Sequence, residues 1–173
     1  MPAVIHFLAT DLSKWDGAAA DALVLTFFAD ERPLRGAAGL VDWRLCGRLS
    51  RLIKNGRLDG TANEVTLVPP AGARLPFPRI FVFGLGSSEG FDESRFKSTV
   101  ARIRDVLHRA GISRYAIQPP GRALGLVAPR RAFELFRESA LGDEDEVTLI
   151  ETPSGQKEMS EAVRRLATNP PAR

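Results

Sequence analysis

Residues 79–90 read Arg-Ile-Phe-Val-Phe-Gly-Leu-Gly-Ser-Ser-Glu-Gly, an apolar run that breaks into a glycine-rich turn ahead of a helix expected from about residue 92. A strand, a loop and a helix in that order aim backbone N–H groups at one point, the arrangement α/β proteins use to hold phosphates. Gly84, Gly86 and Gly90, with Ser87 and Ser88 between them, are therefore the candidate ligand residues. Their spacing, G-x-G-x-x-x-G, is one residue longer than the dinucleotide fingerprint, and no P-loop lysine follows. Glu89 and Asp92 would also repel a phosphate. The stretch is read first as a structural connection, with phosphate or nucleotide binding as the other reading.

Other chemistry has thinner support. Two histidines, His6 and His108, lie far apart without an H-x-x-x-H pairing, and the single cysteine, Cys46, has no partner for a thiolate metal site. No metal and no cofactor are expected. Ser87 and Ser88 lack the G-x-S-x-G setting of a nucleophile elbow, so no catalytic residue is assigned. Cys46 is read as a small, partly buried hydrophobe, His108 as a surface residue and His6 as a partly buried one. Arg44, Arg48 and Arg51 fall at i, i+4 and i+7 of an expected helix and share one face. That face is read as solvated. Its alternatives are an acidic protein partner and the phosphates of a nucleic acid.

These residues need elements to position them. Residues 4–8 form a short apolar run. Residues 22–28, Ala-Leu-Val-Leu-Thr-Phe-Phe, predict a strand buried on both faces. Residues 39–54 predict one helix, with Val41, Leu45, Leu49, Leu52 and Ile53 inward and Asn55-Gly56 as its stop. Strands follow at 64–68 and 79–83, joined as a wide hairpin. A helix over 92–110 is capped by Asp92, with Phe91 and Phe96 as its hydrophobic staple. A strand at 114–118, a helix at 129–140 with Phe133 and Phe136 inward, a strand at 146–151 and a helix at 156–167 complete the pattern. The acidic run at 143–146 is read as a solvated loop. Strands alternating with helices, plus one hairpin, predict an α/β fold with a mixed sheet and helices on both faces.

Composition sets limits. With 173 residues the chain suits one domain with a single core. It holds no run of about 18 apolar residues, so no membrane partner is expected. One cysteine forms no internal disulfide, and a reducing cytoplasm is the expected setting. A net charge of +3 is too small to imply nucleic acid on its own.

The order of these pieces resembles the N-terminal domain of the leucyl aminopeptidase family, the M17 metallopeptidases. The residues that carry the likeness are the strand at 21–28, the helix at 39–54, Gly56-Arg57-Leu58-Asp59-Gly60 followed by Glu64, the strand ending at Pro69-Pro70, the strand ending Gly84-Leu85-Gly86, and the helix at 92–111. The tail at 164–173, Arg-Arg-Leu-Ala-Thr-Asn-Pro-Pro-Ala-Arg, resembles the family's linker helix, so residues 155–173 are expected to be the linker of a single domain spanning 1–173. The resemblance implies a three-layer α/β/α fold with a mixed, mostly parallel sheet, similar to macro domains. It also implies that peptidase chemistry belongs to a separate C-terminal domain, whose Asn-Thr-Asp-Ala-Glu-Gly-Arg motif does not occur here. The expectation is a non-catalytic domain that acts by protein interaction, self-association or regulation. Binding of ADP-ribose or another nucleotide, as in macro domains, and a DNA-binding accessory role are the alternatives. The aspartate with which macro domains read adenine has only poor counterparts, Asp11 and Asp30.

Overall fold

The computed structural model describes residues 4–70, 72–140 and 145–168. Its elements are β1 (Val4–Ala9), α1 (Leu12–Trp15), β2 (Ala22–Phe27), α2 (Gly36–Arg44), α3 (Arg48–Lys54), β3 (Val65–Val68), a 3-10 turn (Gly72–Arg74), β4 (Ile80–Gly84), α4 (Glu93–Arg109), β5 (Arg114–Ile117), α5 (Pro129–Ala140), β6 (Glu146–Glu151) and α6 (Pro153–Thr168). The strands form one sheet in the order β1-β6-β5-β2-β4-β3. All neighbours are parallel except β3 and β4, whose antiparallel register sets Val65 opposite Phe83. The expected mixed, mostly parallel sheet is present.

The two-residue period of a strand divides the core into two layers. From β2, Ala22 and Val24 face one side, with Phe81, Phe83, Tyr115, Ile117, Val147 and Leu149 from the other strands. Helices α4, α5 and α6 cover that side through Phe96, Val100, Ile103, Leu107, Phe133, Phe136 and Met159. Leu23, Leu25 and Phe27 face the other side, under Trp15 of α1, Ala37, Ala38 and Val41 of α2, Leu45 just after it and Leu49 of α3. A strand buried on both faces must read as continuous apolar sequence, as β2 does.

Helix α4 forms as its sequence predicts. The Asp92 side chain accepts from the Arg95 N–H at 2.8 Å, and the Phe91 and Phe96 rings lie 6.5 Å apart. The helix expected over 39–54 is instead two helices. Cys46 and Gly47 both take left-handed backbone conformations, with φ of 54° and 75°. Gly47 N–H closes the first helix on Asp42 O at 2.7 Å, and the Asp42 carboxylate bonds the N–H and hydroxyl of Ser50 to start the second. The apolar spacing survives because the break reorients the chain without changing which side of it is inward.

Three smaller expectations change. Cys46 is exposed, because it stands in the turn that breaks the helix, and its Sγ accepts from Arg74 Nη1 at 2.9 Å. His6 lies on the edge strand β1 and is exposed, 3.3 Å from Glu146. Within the acidic run Asp145 is buried rather than solvated, held by His108 at 2.8 Å and by Arg104 at 3.5 Å. The readings of Asp143, Glu144 and residues 169–173 fall outside the described residues.

Candidate functional site

Parallel strands in one sheet point their C-terminal ends the same way, so the loops after β2, β4, β5 and β6 meet at one edge. Between β2 and β5 the following helices leave toward opposite faces, α2 to one layer and α5 to the other. Such a switch point opens a crevice where α/β sheets hold ligands. Here the chain's own groups bond to one another around it.

From the β2 side, Glu31 is buried, and its carboxylate accepts from Phe28 N–H at 3.1 Å and Arg35 N–H at 2.9 Å. Burial raises the Glu31 pKa above the usual carboxylate range, with the two backbone donors and the charges of Arg35 and Arg32 pulling against it. From the β5 side, Gln118 Oε1 accepts from Ala37 N–H at 2.8 Å, in the first turn of α2. Gly36, at φ +55°, makes room for it: a Cβ there would sit 2.1 Å from that oxygen. The helix start that could have received an anion thus holds a neutral amide. The Phe91 ring stands edge-on to Phe28, with centroids 5.1 Å apart, and lies where a Cβ on Gly121 would go.

The loops after β5 and β6 are joined by an ion pair. Arg122 donates to both oxygens of Glu151, at 2.6 and 3.0 Å, and Glu151 is 1% exposed. Arg122 also donates to Val127 O, and Glu151 also accepts from Thr152 N–H just ahead of α6. A carboxylate of the chain itself therefore occupies the anion position at that helix start.

Gly84 ends β4, and Gly86, Ser87, Ser88 and Gly90 lie in the loop after it, where several backbone donors are already engaged. Gly84 N–H bonds Glu64 O at 3.0 Å, Leu85 N–H bonds Phe27 O at 3.0 Å, and Gly86 N–H bonds Gly60 O at 2.8 Å. Ser88 gives both its N–H and its hydroxyl to Asp30, at 2.8 and 2.5 Å, which lowers the Asp30 pKa below the usual range. Arg95 from α4 donates to the carbonyls of Leu85, Ser87 and Glu89. Gly84 is required by closeness: a Cβ there would lie 2.1 Å from Thr61 O and 2.6 Å from the Gly60 carbonyl carbon.

Arg44, Arg48 and Arg51 now lie on two helices rather than one. Arg44 turns back to Asp16 at 2.8 Å and to the carbonyls of Arg74 and Leu12. Arg51 donates to Cys46 O at 2.6 Å. Arg48 makes no ion pair among the described residues. Beside them opens a recess of about 890 Å³, lined by Pro33, Leu34, Trp43 and Arg74 among others, and Trp43 is 75% exposed. A second recess, of about 460 Å³, runs between the loop at Ala62 and Asn63 and the Arg95–Asp105 face of α4.

At the opposite end of the sheet, Asp145, His108 and Arg104 lie beside Tyr115. The Tyr115 hydroxyl is buried with no partner among the described residues. Burial, and next the Asp145 charge, push the phenol well above its usual range. Sequence reading did not single out Glu31, Gln118, Arg122, Glu151 or this cluster. The available signal was a polar residue at the end of an apolar strand, as at Gln118 and Glu151.

The family model "Cytosol aminopeptidase family, N-terminal domain" matches residues 24–140. The "Probable cytosol aminopeptidase" of Cyanothece sp. is 29% identical over 125 residues, which cover 72% of this chain and 23% of that protein. The chain thus spans about a quarter of that relative's length. Among solved structures, a mutant tomato leucine aminopeptidase aligns with a TM-score of 0.57 at 15% identity, over 96% of this chain and 37% of that one. A mutant Oceanobacillus iheyensis macrodomain with ADPR aligns with a TM-score of 0.62 at 11% identity, over 89% of this chain and 90% of that one. At such identities the structural likeness is one of fold.

Proposed function

This chain belongs to the cytosol aminopeptidase family through that family's N-terminal domain, and from that premise we propose that it is a non-catalytic unit working by protein interaction, assembly or regulation. One observation carries the reading. Around the crevice where this sheet would hold a small ligand, the polar groups of Glu31, Gln118, Arg122 and Glu151 are bonded within the chain and Phe91 packs on Phe28, while an open recess with an exposed tryptophan lies on α2 and α3. Tryptophan is enriched at protein interfaces, where its apolar ring is covered and its N–H finds a partner. A cytoplasmic setting belongs to this reading, in keeping with the relatives' cytosol aminopeptidase name.

The test has two arms. Leucine-amide substrates with added manganese or zinc are expected to remain intact, and turnover would overturn the non-catalytic reading. Sedimentation velocity, on the chain alone and mixed with the C-terminal domain of a cytosol aminopeptidase, is expected to show a boundary heavier than the monomer. A monomer boundary in both would remove the assembly reading.

The macrodomain likeness favours a second reading, binding of ADP-ribose or another nucleotide in the same crevice. Binding there would require Phe91 and Gln118 to leave their present partners and a phosphate to compete with the loop's internal bonds. Titration calorimetry with ADP-ribose is expected to show no heat, and a saturating isotherm would make this reading the better one.

A further inference from the structure

We propose that the Tyr115 hydroxyl, the Arg104 Nε–H and the Asp145 carboxylate hold one internal water molecule between the start of β5 and helix α4. The site lies at the opposite end of the sheet from the crevice and is independent of the interaction reading. Topology brings the three groups together. Tyr115 pairs with Val147 across β5 and β6, and Asp145 stands two residues before Val147. The two-residue period therefore carries Asp145 to the side where Tyr115 and Val147 meet α4. Arg104 and His108, four residues apart on one face of α4, both reach Asp145, at 3.5 and 2.8 Å.

Two donors there are left over. Tyr115 is 1% exposed, and its hydroxyl and the Arg104 Nε are buried without a hydrogen bond among the described residues. Arg104 Nε is an ion-pair neighbour of Asp145 Oδ2, yet its N–H reaches no acceptor. The hydroxyl has no escape by rotation, because a flip of the phenol ring leaves the oxygen on the axis. Leaving such groups unpaired in the interior is unfavourable, and native proteins pair them through ordered water.

Charge selects water over an ion. With His108 neutral, Asp145 and Arg104 cancel. The carboxylate repels a simple anion and the guanidinium repels a metal cation. A water oxygen accepts from the Arg104 Nε–H and from the phenol, while one of its own hydrogens goes to the carboxylate, which gives it the two to four polar partners an internal water needs. Burial and the Asp145 charge, which push the phenol well above its usual range, keep it protonated and able to donate. A recess of about 270 Å³, lined by His108, Gly111, Ile112, Ser113 and Asp145, brings solvent up to the carboxylate and gives the water a way in.

A high-resolution crystal structure of the whole chain is expected to show one density peak within about 3.2 Å of both Tyr115 Oη and Arg104 Nε. Tyr115→Phe keeps the ring and removes the hydroxyl. In that variant the peak should be lost, oxygen-17 relaxation dispersion should count one long-lived water fewer in solution, and the urea midpoint should fall by about 0.5 M. A parent chain without the peak would overturn the proposal. So would a Tyr115→Phe midpoint that holds or rises, because removing a truly unpaired hydroxyl relieves the interior. A peak that takes up bromide on soaking would also overturn it, in favour of an anion held by Arg104 and His108. The crystal measurement on the parent chain decides the matter even where the variant does not fold.

Discussion

Glu31 shows how one buried carboxylate shapes the crevice. It binds two backbone N–H groups of its own loop, yet burial still holds its pKa above the usual carboxylate range. The folded state therefore binds the Glu31 proton more tightly than the unfolded chain does. Its contribution to stability is fully present below the unfolded pKa and is lost as pH rises through the folded pKa. Glu31→Gln keeps one acceptor oxygen and removes the titration. As pH rises from the unfolded carboxylate pKa through the raised folded one, urea midpoints are expected to move in favour of the Gln variant relative to the parent chain. A gap between the two that does not change with pH would show that the carboxylate ionises there without cost.

At the scale of elements, the β4–α4 connection is held by closeness to the loop at Gly60 and Thr61. Gly84→Ala sets a methyl group against two backbone atoms, neither of which is the end of a flexible side chain. We expect a loss of about 3 kcal/mol, the upper end for overpacking, read from the urea midpoint. A loss near zero would mean that the two backbones separate easily. The sequence made this element legible as a connection: the glycine spacing was wrong for a dinucleotide, and Glu89 and Asp92 opposed a phosphate. The cap and staple of α4 were legible too, because they are local. The break between α2 and α3 was not. The apolar spacing from Val41 to Ile53 fits a continuous helix, and only the Cys46-Gly47 pair and the Asp42–Ser50 bonds interrupt it.

At the scale of the whole molecule, the two-layer core was legible because a doubly buried strand such as β2 has to be continuously apolar. The bonding around the crevice was not, because its partners are far apart in sequence: Gln118 reaches Ala37 across 81 residues and Arg122 reaches Glu151 across 29. No local pattern announces such pairs. They form only once the sheet has brought the loops together, and they decide whether the sheet's edge is open to a ligand.

One consequence concerns the end of β4 and the loop that follows it. Gly84, Leu85 and Gly86 send consecutive N–H groups to Glu64, Phe27 and Gly60, and Gly86 O receives Ala29 N–H in return. Exchange of these hydrogens with deuterated solvent requires three separate segments to part together. In native-state hydrogen exchange the Leu85 and Gly86 amides are therefore expected to be as slow as those of β2, opening only with global unfolding. Exchange on the timescale of an exposed loop would contradict this. A loop by shape, this stretch would then behave as one of the last parts of the protein to meet water.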